Sequence, residues 1–224
     1  MIIMAIDGAC RRNGKPDCVS SGGVYIEQYN DENKLVATGV RSNYEIQSTN
    51  QRGELLALIT ALDFAWSAKQ PTQIVTDSEY TFNAMTKEWF VGWESREWLT
   101  ASYEPVKNSD LWREIKHAYD KCRQDDIDIV FYHIKGHCIS FGKVTANTLL
   151  VKNPTGYTLR EEVYKKYDAT APSKADKLHD ANELSLKNNG FKLEPEILRH
   201  FVVINTIADA VATKCVEAAD ALMA

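Results

Sequence analysis

The sequence predicts an α/β fold, a five-stranded mixed sheet flanked by helices. Three observations carry this prediction: the chain opens on a short apolar run, the hydrophobic periodicity becomes helical at residue 50, and a short apolar strand follows that helix. The predicted order is β-β-β-α-β-α-α-β, then a long segment, then a final helix. An antiparallel meander therefore leads into a parallel part of the sheet.

The first three strands are predicted close to the start of the chain. Ile2–Ile6 is apolar throughout, which is typical of a strand buried on both faces. Two adjacent glycines precede a second strand at Val24–Gln28, and a polar turn leads to a third at Leu35–Val40. Their spacing indicates a hairpin-like meander.

The fourth strand is predicted between two helices. From Asn50, apolar residues recur at helical spacing until the chain reaches Lys69. Ile74–Thr76 is a short strand, and Ser78 is placed to cap the helix that follows it. These features predict a crossover from the meander into the parallel part of the sheet.

The fifth strand follows an aromatic stretch and a further helix. The stretch contains Trp89, Trp93, Trp98 and Tyr103. Asn108 or Ser109 is expected to cap the helix, and Ile127–Ile134 is so nearly all apolar that it predicts a central strand. The final helix carries one apolar stripe, made of Ile204, Ile207, Ala208, Val211, Ala212 and Cys215.

Composition and charge limit the classes of function. The 224 residues carry a net charge of −5 with a pI of about 5.6, so any grip on nucleic acid must be local or assisted by metal ions. The five cysteines are scattered and contain no C-x-x-C pair, which argues against a disulfide framework or a zinc site. No signal peptide or membrane span is indicated, so we expect a cytoplasmic protein without membrane contact.

Four carboxylates are the candidate catalytic groups. Asp7 closes the first strand, Glu54 is expected in the first turn of the long helix, Asp77 ends the short strand, and Asp209 lies on the final helix. Active sites of open α/β sheets form where strands end and helices begin. Each carboxylate alone has an ordinary structural explanation, as a turn cap, a helix-start residue or a solvated position.

Six sequence blocks in order make the chain resemble a type 1 ribonuclease H. They are Ile6–Cys10, Thr49–Leu55, Thr76–Tyr80, Pro105–Trp112, Ile134–His137 and Asn205–Asp209. The resemblance implies a ribonuclease H-like fold and hydrolysis of the RNA strand of RNA–DNA hybrids, leaving 5′-phosphate and 3′-hydroxyl ends. It also implies two divalent ions held by the four carboxylates, Mg²⁺ with Mn²⁺ as a possible substitute. His137 matches a mobile histidine that assists proton transfer or product release.

The resemblance also implies a set of substrate contacts. Cys10, Asn13, Asn50 and Gln51 match positions that contact the RNA minor groove or the bases, and Thr49 and Arg52 are candidates for a DNA-strand phosphate. Glu79 stands where many members have glutamine, and it lacks the amide that would donate a hydrogen bond to the substrate. The run 93–98 has two acids and one base where many members have a basic protrusion, although Trp93 could offer a stacking surface.

A 63-residue segment, 138–200, departs from the family pattern. We expect a mostly helical subdomain inserted in a catalytic domain of residues 1–137 and 201–224. Thr158–Glu161 is a capping box that predicts a helix to Tyr167. Ser173 is expected to cap another helix that ends at Asn189–Gly190, and Glu194–Pro195 predicts a further helix start. The segment carries a charge of +2, and Lys165 and Lys166 are candidate phosphate contacts. A structural cap or a docking surface for a protein partner is an equal alternative.

Two other functions fit parts of this pattern. A DNA-directed nuclease or strand-transfer enzyme on the same fold would share the acidic site, but not the set Cys10, Asn13, Asn50 and Gln51. A non-catalytic hybrid-binding scaffold would not need all four carboxylates. The sequence does not indicate the source of the hybrid or the oligomeric state.

Overall fold

A computed structural model describes residues 1–137, 150–153, 156–159, 187, 190 and 193–223. Its main sheet has five strands in the order β3-β2-β1-β4-β5. Their bounds are β1 Ile2–Arg11, β2 Val19–Tyr29, β3 Leu35–Ile46, β4 Thr72–Thr76 and β5 Ile129–His133. The first three strands are antiparallel, and β1, β4 and β5 are parallel to one another, which confirms the predicted mixed sheet.

The helices follow the predicted signals closely at their ends. Their bounds are α1 Asn50–Ala68, α2 Glu79–Thr86, α3 Trp89–Glu94, α4 Ser109–Gln124 and α5 Pro195–Met223. Thr49 caps α1, and Lys69 ends it in the left-handed conformation with its N–H bonded to the Ala65 carbonyl. Ser78 caps α2 as predicted, by accepting a hydrogen bond from the Thr81 N–H. The aromatic stretch contains the short helix α3.

The sheet is covered on both faces, and its strands divide their side chains between two cores. In β1, Ile2, Met4 and Ile6 belong to the core shared with α1 and α4, whereas Ile3 and Ala5 belong to the core shared with α5. This alternation follows from the two-residue repeat of a strand. Burying each large apolar side chain contributes about 1.5–3 kcal/mol. The N-terminal apolar run is therefore a strand buried on both faces, as predicted.

Two adjacent glycines in β2 let helices approach the sheet from opposite sides. A Cβ on Gly22 would meet the backbone of Ala57 in α1 at 2.4 Å, and a Cβ on Gly23 would meet the Ala208 carbonyl of α5 at 2.4 Å. Gly23 pairs with Asp7 across the β1–β2 ladder. Both helices are therefore brought closest to the sheet beside Asp7.

The predicted central position of the fifth strand is wrong, because β5 is the last strand of the sheet order. The strand is apolar because side chains on its two faces pack against helices, and not because it has strands on both sides. Phe131 packs on the α1 side, while Tyr132 lies 5.1 Å from Phe201 of α5, measured between ring centroids. The apolar residues of a strand indicate that its faces pack against other elements. They do not indicate how many strands pair with it.

The inserted segment contains two short strands that the sequence did not predict. β6 (Leu150–Asn153) and β7 (Gly156–Leu159) pair antiparallel, so the predicted helix cap at Thr158 is wrong, and β7 lies next to β3. Val151 opposite Thr158 places two β-branched residues in register, a pairing that favours strands over a helix. The predicted helix to Tyr167, the cap at Ser173, and Lys165 and Lys166 lie outside the described residues.

The final helix begins at Pro195, as the pair Glu194–Pro195 predicted. It continues without interruption to Met223, across the position 200/201 where the inserted subdomain was expected to end. The division of the chain into a catalytic domain and a subdomain stays a prediction. Of the helices in the described part of the chain, none is long and apolar enough to cross a membrane.

Candidate active site

Three carboxylates from three different elements converge at one point. Asp7 lies in β1, Glu54 in α1 and Asp77 directly after β4, and one ligand oxygen from each lies within 4.8 Å of the others. Asp7 and Glu54 are buried, with 5% and 8% of their surface exposed. Glu54 is in the second turn of α1 rather than the first, as was expected, because the helix begins at Asn50. A Cβ on Gly8 would meet the Glu54 backbone nitrogen at 2.5 Å, so the glycine permits this approach.

The fourth carboxylate, Asp209, comes from α5 on the other face of the sheet. The helix is held there by Asn205, whose side-chain amide donates to the Ile6 carbonyl at 3.5 Å, and by Ser21, whose hydroxyl donates to the Ala212 carbonyl at 2.6 Å. Asp209 is half-buried and lies outside the group of three. Its charge nevertheless raises the pKa of the other three carboxyls.

Burial raises the pKa of all four carboxyls, and repulsion from neighbouring carboxylates raises it further for Asp7, Glu54 and Asp77. Burial is the largest cause in each case. The pKa of Asp7 lies well above its usual value, since Glu54, Asp77 and Asp209 add their repulsion to burial. The pKa of Glu54 rises to about 8, from burial first and the Asp77 charge second. Positive charge placed among these carboxyls would lower their pKa values and so favour their ionised forms.

These carboxylates fit a metal site. The Gly8 N–H donates to one Asp7 oxygen at 2.7 Å, and Glu54 Oε2 is buried without a hydrogen-bond partner among the described residues. A buried carboxylate oxygen without a partner is costly, and a bound cation removes that cost. Asp7, Glu54 and Asp77 could hold a metal ion, and hard carboxylate oxygens suit Mg²⁺ or Mn²⁺.

Two histidines interact with Asp77, one through a hydrogen bond and one through its charge. The His137 imidazole is exposed, and its positive charge, when present, lowers the pKa of Asp77 and Asp209. The loop approaches so closely that a Cβ on Gly136 would lie 1.7 Å from Asp77 Oδ2. His133 is buried, and its Nε2 lies 3.0 Å from the Asp77 carbonyl oxygen. His133 therefore holds the backbone at Asp77 in place, whereas His137 lies at the exposed edge of the site.

Three of the predicted RNA-contacting residues are connected by hydrogen bonds. The Cys10 thiol lies 3.9 Å from Asn13 Oδ1, and the same oxygen accepts a hydrogen bond from the Asn50 N–H at 3.4 Å. Cys10 is partly exposed in β1, Asn13 lies in the β1–β2 turn, and Asn50 starts α1. The structure therefore joins the hairpin tip to the N-terminus of α1 near Glu54.

The other predicted contacts of this region are tied to neighbouring elements. Thr49 caps α1, and Gln51 Oε1 accepts a hydrogen bond from the Asn108 amide at 3.4 Å. The Arg52 guanidinium donates to Glu45 at 2.6 Å and to Asp110 at 2.7 Å. Both carboxylates hold the Arg52 fork, so its charge is largely balanced within the protein.

Trp93 lies in an aromatic cluster beside α4. Its ring centroid is 5.4 Å from that of Trp112 and 6.0 Å from that of Trp89, both edge-on. Tyr80 accepts a hydrogen bond from the Trp112 indole at 2.7 Å. Trp93 is half-buried by these contacts, and Glu79, nearby on α2, is exposed. The cluster fixes α3 against α4 and leaves one side of Trp93 accessible.

Sequence reasoning missed one buried polar network. Glu27 of β2 is 1% exposed and accepts hydrogen bonds from Tyr25 and Tyr29, and its Oε2 lies 2.7 Å from His200 Nε2. His200 had been given no role from the sequence. The signal was Glu27 itself, a carboxylate within an otherwise buried strand, which needs partners. The network fixes the first turns of α5 to β2.

Most of the chain is similar to proteins of one known family. The RNase H family model matches residues 1–150. A ribonuclease H of Alcanivorax borkumensis is 37% identical over 150 residues, which are 66% of this chain and 87% of that protein. One of Xanthomonas axonopodis pv. citri is 38% identical over 133 residues, 58% of this chain and 77% of that protein. Among solved structures, LC9-RNase H1, a type 1 RNase H with the type 2 active-site motif, gives a TM-score of 0.49 at 22% identity over 77% of this chain and 84% of that one. The family match includes Asp7, Glu54, Asp77 and His137, whereas Asp209 lies beyond it.

Proposed function

The chain belongs to the RNase H family, and from that premise we propose that it hydrolyses the RNA strand of RNA–DNA hybrids with two bound Mg²⁺ ions, leaving 5′-phosphate and 3′-hydroxyl ends. One observation carries the proposal: Asp7, Glu54 and Asp77 converge within 4.8 Å although burial makes their charges costly. A site with that cost is best explained by the metal chemistry of phosphodiester hydrolysis.

Asp7, Glu54, Asp77 and Asp209 are the proposed ligands. When bound, two divalent ions activate the attacking water and stabilise the leaving oxygen of the phosphodiester. The protein supplies the fixed oxygens: Glu54 Oε2 has no other partner in the described structure, and one Asp7 oxygen is oriented by the Gly8 N–H. Asp209 approaches from the opposite face and adds negative charge at the more open side, and Mn²⁺ is a possible substitute for Mg²⁺.

His137 is proposed to move protons at the rim of the site. Its imidazole is exposed, so it can exchange a proton with water. Its charge also interacts with the charges of Asp77 and Asp209. Histidine changes its charge near neutral pH, which suits proton transfer to the departing 3′ oxygen or release of the product. The rigid approach of Gly136 to Asp77 sets the position from which His137 acts.

Selection of RNA is proposed to depend on the hydrogen-bonded group Cys10, Asn13 and Asn50, with Gln51 beside it. A thiol and amides can contact the 2′-hydroxyl, which is the group that distinguishes RNA from DNA. Thr49 and Arg52 remain candidates for a DNA-strand phosphate. Because Glu45 and Asp110 already hold the Arg52 guanidinium, a phosphate contact there would have to compete with two carboxylates.

Residues 138–200 are proposed to add the positive surface that the acidic run 93–98 does not provide. The segment carries more basic than acidic residues, and Lys165 and Lys166 are the candidate phosphate contacts. Docking of a protein partner is the alternative. The hairpin β6–β7 lies next to β3, so the segment reaches the edge of the sheet opposite β5.

The test is cleavage of an end-labelled RNA–DNA hybrid with Mg²⁺, beside duplex RNA and duplex DNA. The Asp77→Asn variant removes one proposed ligand charge, and Asp63→Asn is the matched control because Asp63 is exposed on α1. We expect cutting only in the RNA of the hybrid, lost in Asp77→Asn and kept in Asp63→Asn. Cutting of duplex DNA would favour a DNA-directed nuclease, and hybrid binding without cutting would favour a scaffold.

A further inference from the structure

Two cysteines meet at the tip of the β1–β2 hairpin. Cys10 is the ninth residue of β1 and Cys18 immediately precedes β2, and their sulfur atoms lie 2.6 Å apart. This separation exceeds the length of a disulfide bond by only about 0.6 Å. The spacing of the five cysteines in the sequence does not indicate a disulfide framework, because spacing alone does not show that these two side chains meet.

Both cysteines are held in place by backbone hydrogen bonds. Cys10 pairs with Ser20 in the β1–β2 ladder. The Cys18 N–H donates to the Lys15 carbonyl at 3.0 Å, and the Cys18 carbonyl accepts from the Ser48 N–H at 3.2 Å. A bond between the two sulfurs therefore needs only a small side-chain shift and no backbone rearrangement.

We propose that Cys10 and Cys18 form a redox-responsive modification site, in which an intramolecular disulfide reversibly lowers cleavage of the hybrid. The effect on cleavage rests on the proposed function, whereas formation of the bond does not. In the reduced protein the Cys10 thiol contacts Asn13 Oδ1, which also accepts from Asn50 at the start of α1. A disulfide removes the thiol hydrogen and draws the Cys10 sulfur toward Cys18, away from the face proposed to contact RNA.

The oxidation is balanced by a low-molecular-weight disulfide such as oxidised glutathione. The thiolate of Cys10, the more exposed partner, attacks the glutathione disulfide, whose S–S bond breaks and releases one glutathione thiol. The buried Cys18 then attacks the mixed disulfide, forming the Cys10–Cys18 bond and releasing the second glutathione. The two cysteine thiols are oxidised, the glutathione disulfide is reduced, and both protons end on the glutathione thiols.

The surroundings of Cys10 make this a slow and selective reaction. Burial, together with the hydrogen bond to Cys18, raises the pKa of Cys10 to about 12. The thiol is therefore protonated at neutral pH and reacts slowly, and oxidation accelerates as the pH rises toward 9. What favours the product is the second step, because Cys18 already touches the sulfur that it must attack.

The bond can be mapped directly on the full chain. The protein is incubated with oxidised or reduced glutathione at pH 8.5, blocked, and digested with trypsin without reduction. Trypsin cuts after Arg11 and Arg12, and Lys15 precedes a proline, so the bond would link peptide 1–11 to peptide 13–34. We expect this linked pair after oxidation and its two halves after reduction. Absence of the pair, or linkage through Cys122, Cys138 or Cys215 instead, would overturn the proposal.

Cleavage of the hybrid is then compared for the oxidised and reduced protein. Loss of one hydrogen bond at the RNA-contacting face predicts a rate lower by about two- to tenfold, restored by dithiothreitol. Cys18→Ser should be insensitive to oxidation, Cys18→Ala serves if the serine variant does not fold, and Cys215→Ser should respond as the wild type does. A linked protein that cleaves at the reduced rate would refute the control of activity. A linked pair in a protein with no cleavage at all would refute only the proposed function.

Discussion

The raised pKa of Glu54 makes a prediction about the stability of the metal-free protein. The pKa is raised from 4.5 to about 8, chiefly by burial and then by Asp77. The folded protein therefore holds a proton on Glu54 at pH values where the unfolded chain has released it. Stability must fall as the pH rises from about 4.5 through 8, because the folded state binds more protons over that range.

The size of the effect follows from the same values. One pKa unit corresponds to about 1.4 kcal/mol, so the shift of Glu54 sets an upper limit of about 5 kcal/mol. We expect the measured loss between pH 5 and 9 to be about 2–4 kcal/mol, since its neighbours share the repulsion. Glu54→Gln removes this titration and also the Glu54 charge that raises the pKa of Asp7.

The assay is urea unfolding in EDTA at several pH values for the wild type, Glu54→Gln and the control Glu79→Gln. Glu79 is exposed on α2, so its substitution should leave the pH dependence unchanged. Glu54→Gln should be more stable than the wild type at pH 9 and lose that advantage at pH 5. Equal pH slopes for wild type and Glu54→Gln would refute the account of a repulsive buried cluster. Added Mg²⁺ should flatten the wild-type slope, because the ion favours the ionised carboxylates.

Three further predictions concern the rim of the site and the inserted segment. Gly136→Ala should lower cleavage by about tenfold or more, since its Cβ would lie 1.7 Å from Asp77 Oδ2, whereas Gly39→Ala meets nothing within 4 Å and should be neutral in the same steady-state assay. His137→Ala should lower kcat by about 10²-fold while hybrid affinity, measured by fluorescence anisotropy in Ca²⁺, stays unchanged; a loss of affinity alone would show that His137 binds rather than moves protons. Replacing residues 143–192 by a short linker should weaken hybrid affinity and reduce its dependence on salt concentration. Unchanged affinity across the salt series would rule out this role and leave a structural cap or a docking surface for a partner as the explanation.

Much of the fold could be predicted because its signals are local. The cap at Ser78 and the helix end at Lys69 are side-chain and backbone signals that operate within one turn. The position of β5 in the sheet could not be predicted in this way. Its apolar residues reflect packing against helices, which is the same for a central strand and for a strand at the edge. Thr158 was mistaken for a helix cap because a capping pattern of four residues can also begin inside a strand, here one whose partner strand lies in register.

The part of the candidate site that lies at the ends of neighbouring strands could be predicted from the sequence. Asp7 lies in β1 and Asp77 directly follows β4, and since these two strands are parallel neighbours, topology alone brings the carboxylates together. The pairing of Cys10 with Cys18 depends instead on the hairpin turn, and that of Glu27 with His200 on the placement of a helix 173 residues away. Long-range packing of this kind leaves no periodic signal in the sequence.

The approach of Glu54 and Asp209 to Asp7 is a consequence of the two glycines in β2. Gly22 admits α1 and Gly23 admits α5, and in each case the backbone contact would be too short for any side chain. The packing of two helices against the sheet therefore forces the carboxylates into proximity, and the apolar cores on both faces offset the repulsion that results. Relieving the repulsion by moving the helices apart would expose those cores, whereas a bound cation relieves it with the packing intact. The fold thus makes cation binding the least costly way to ionise the site, which is the physical basis for a metal-dependent reaction at this position.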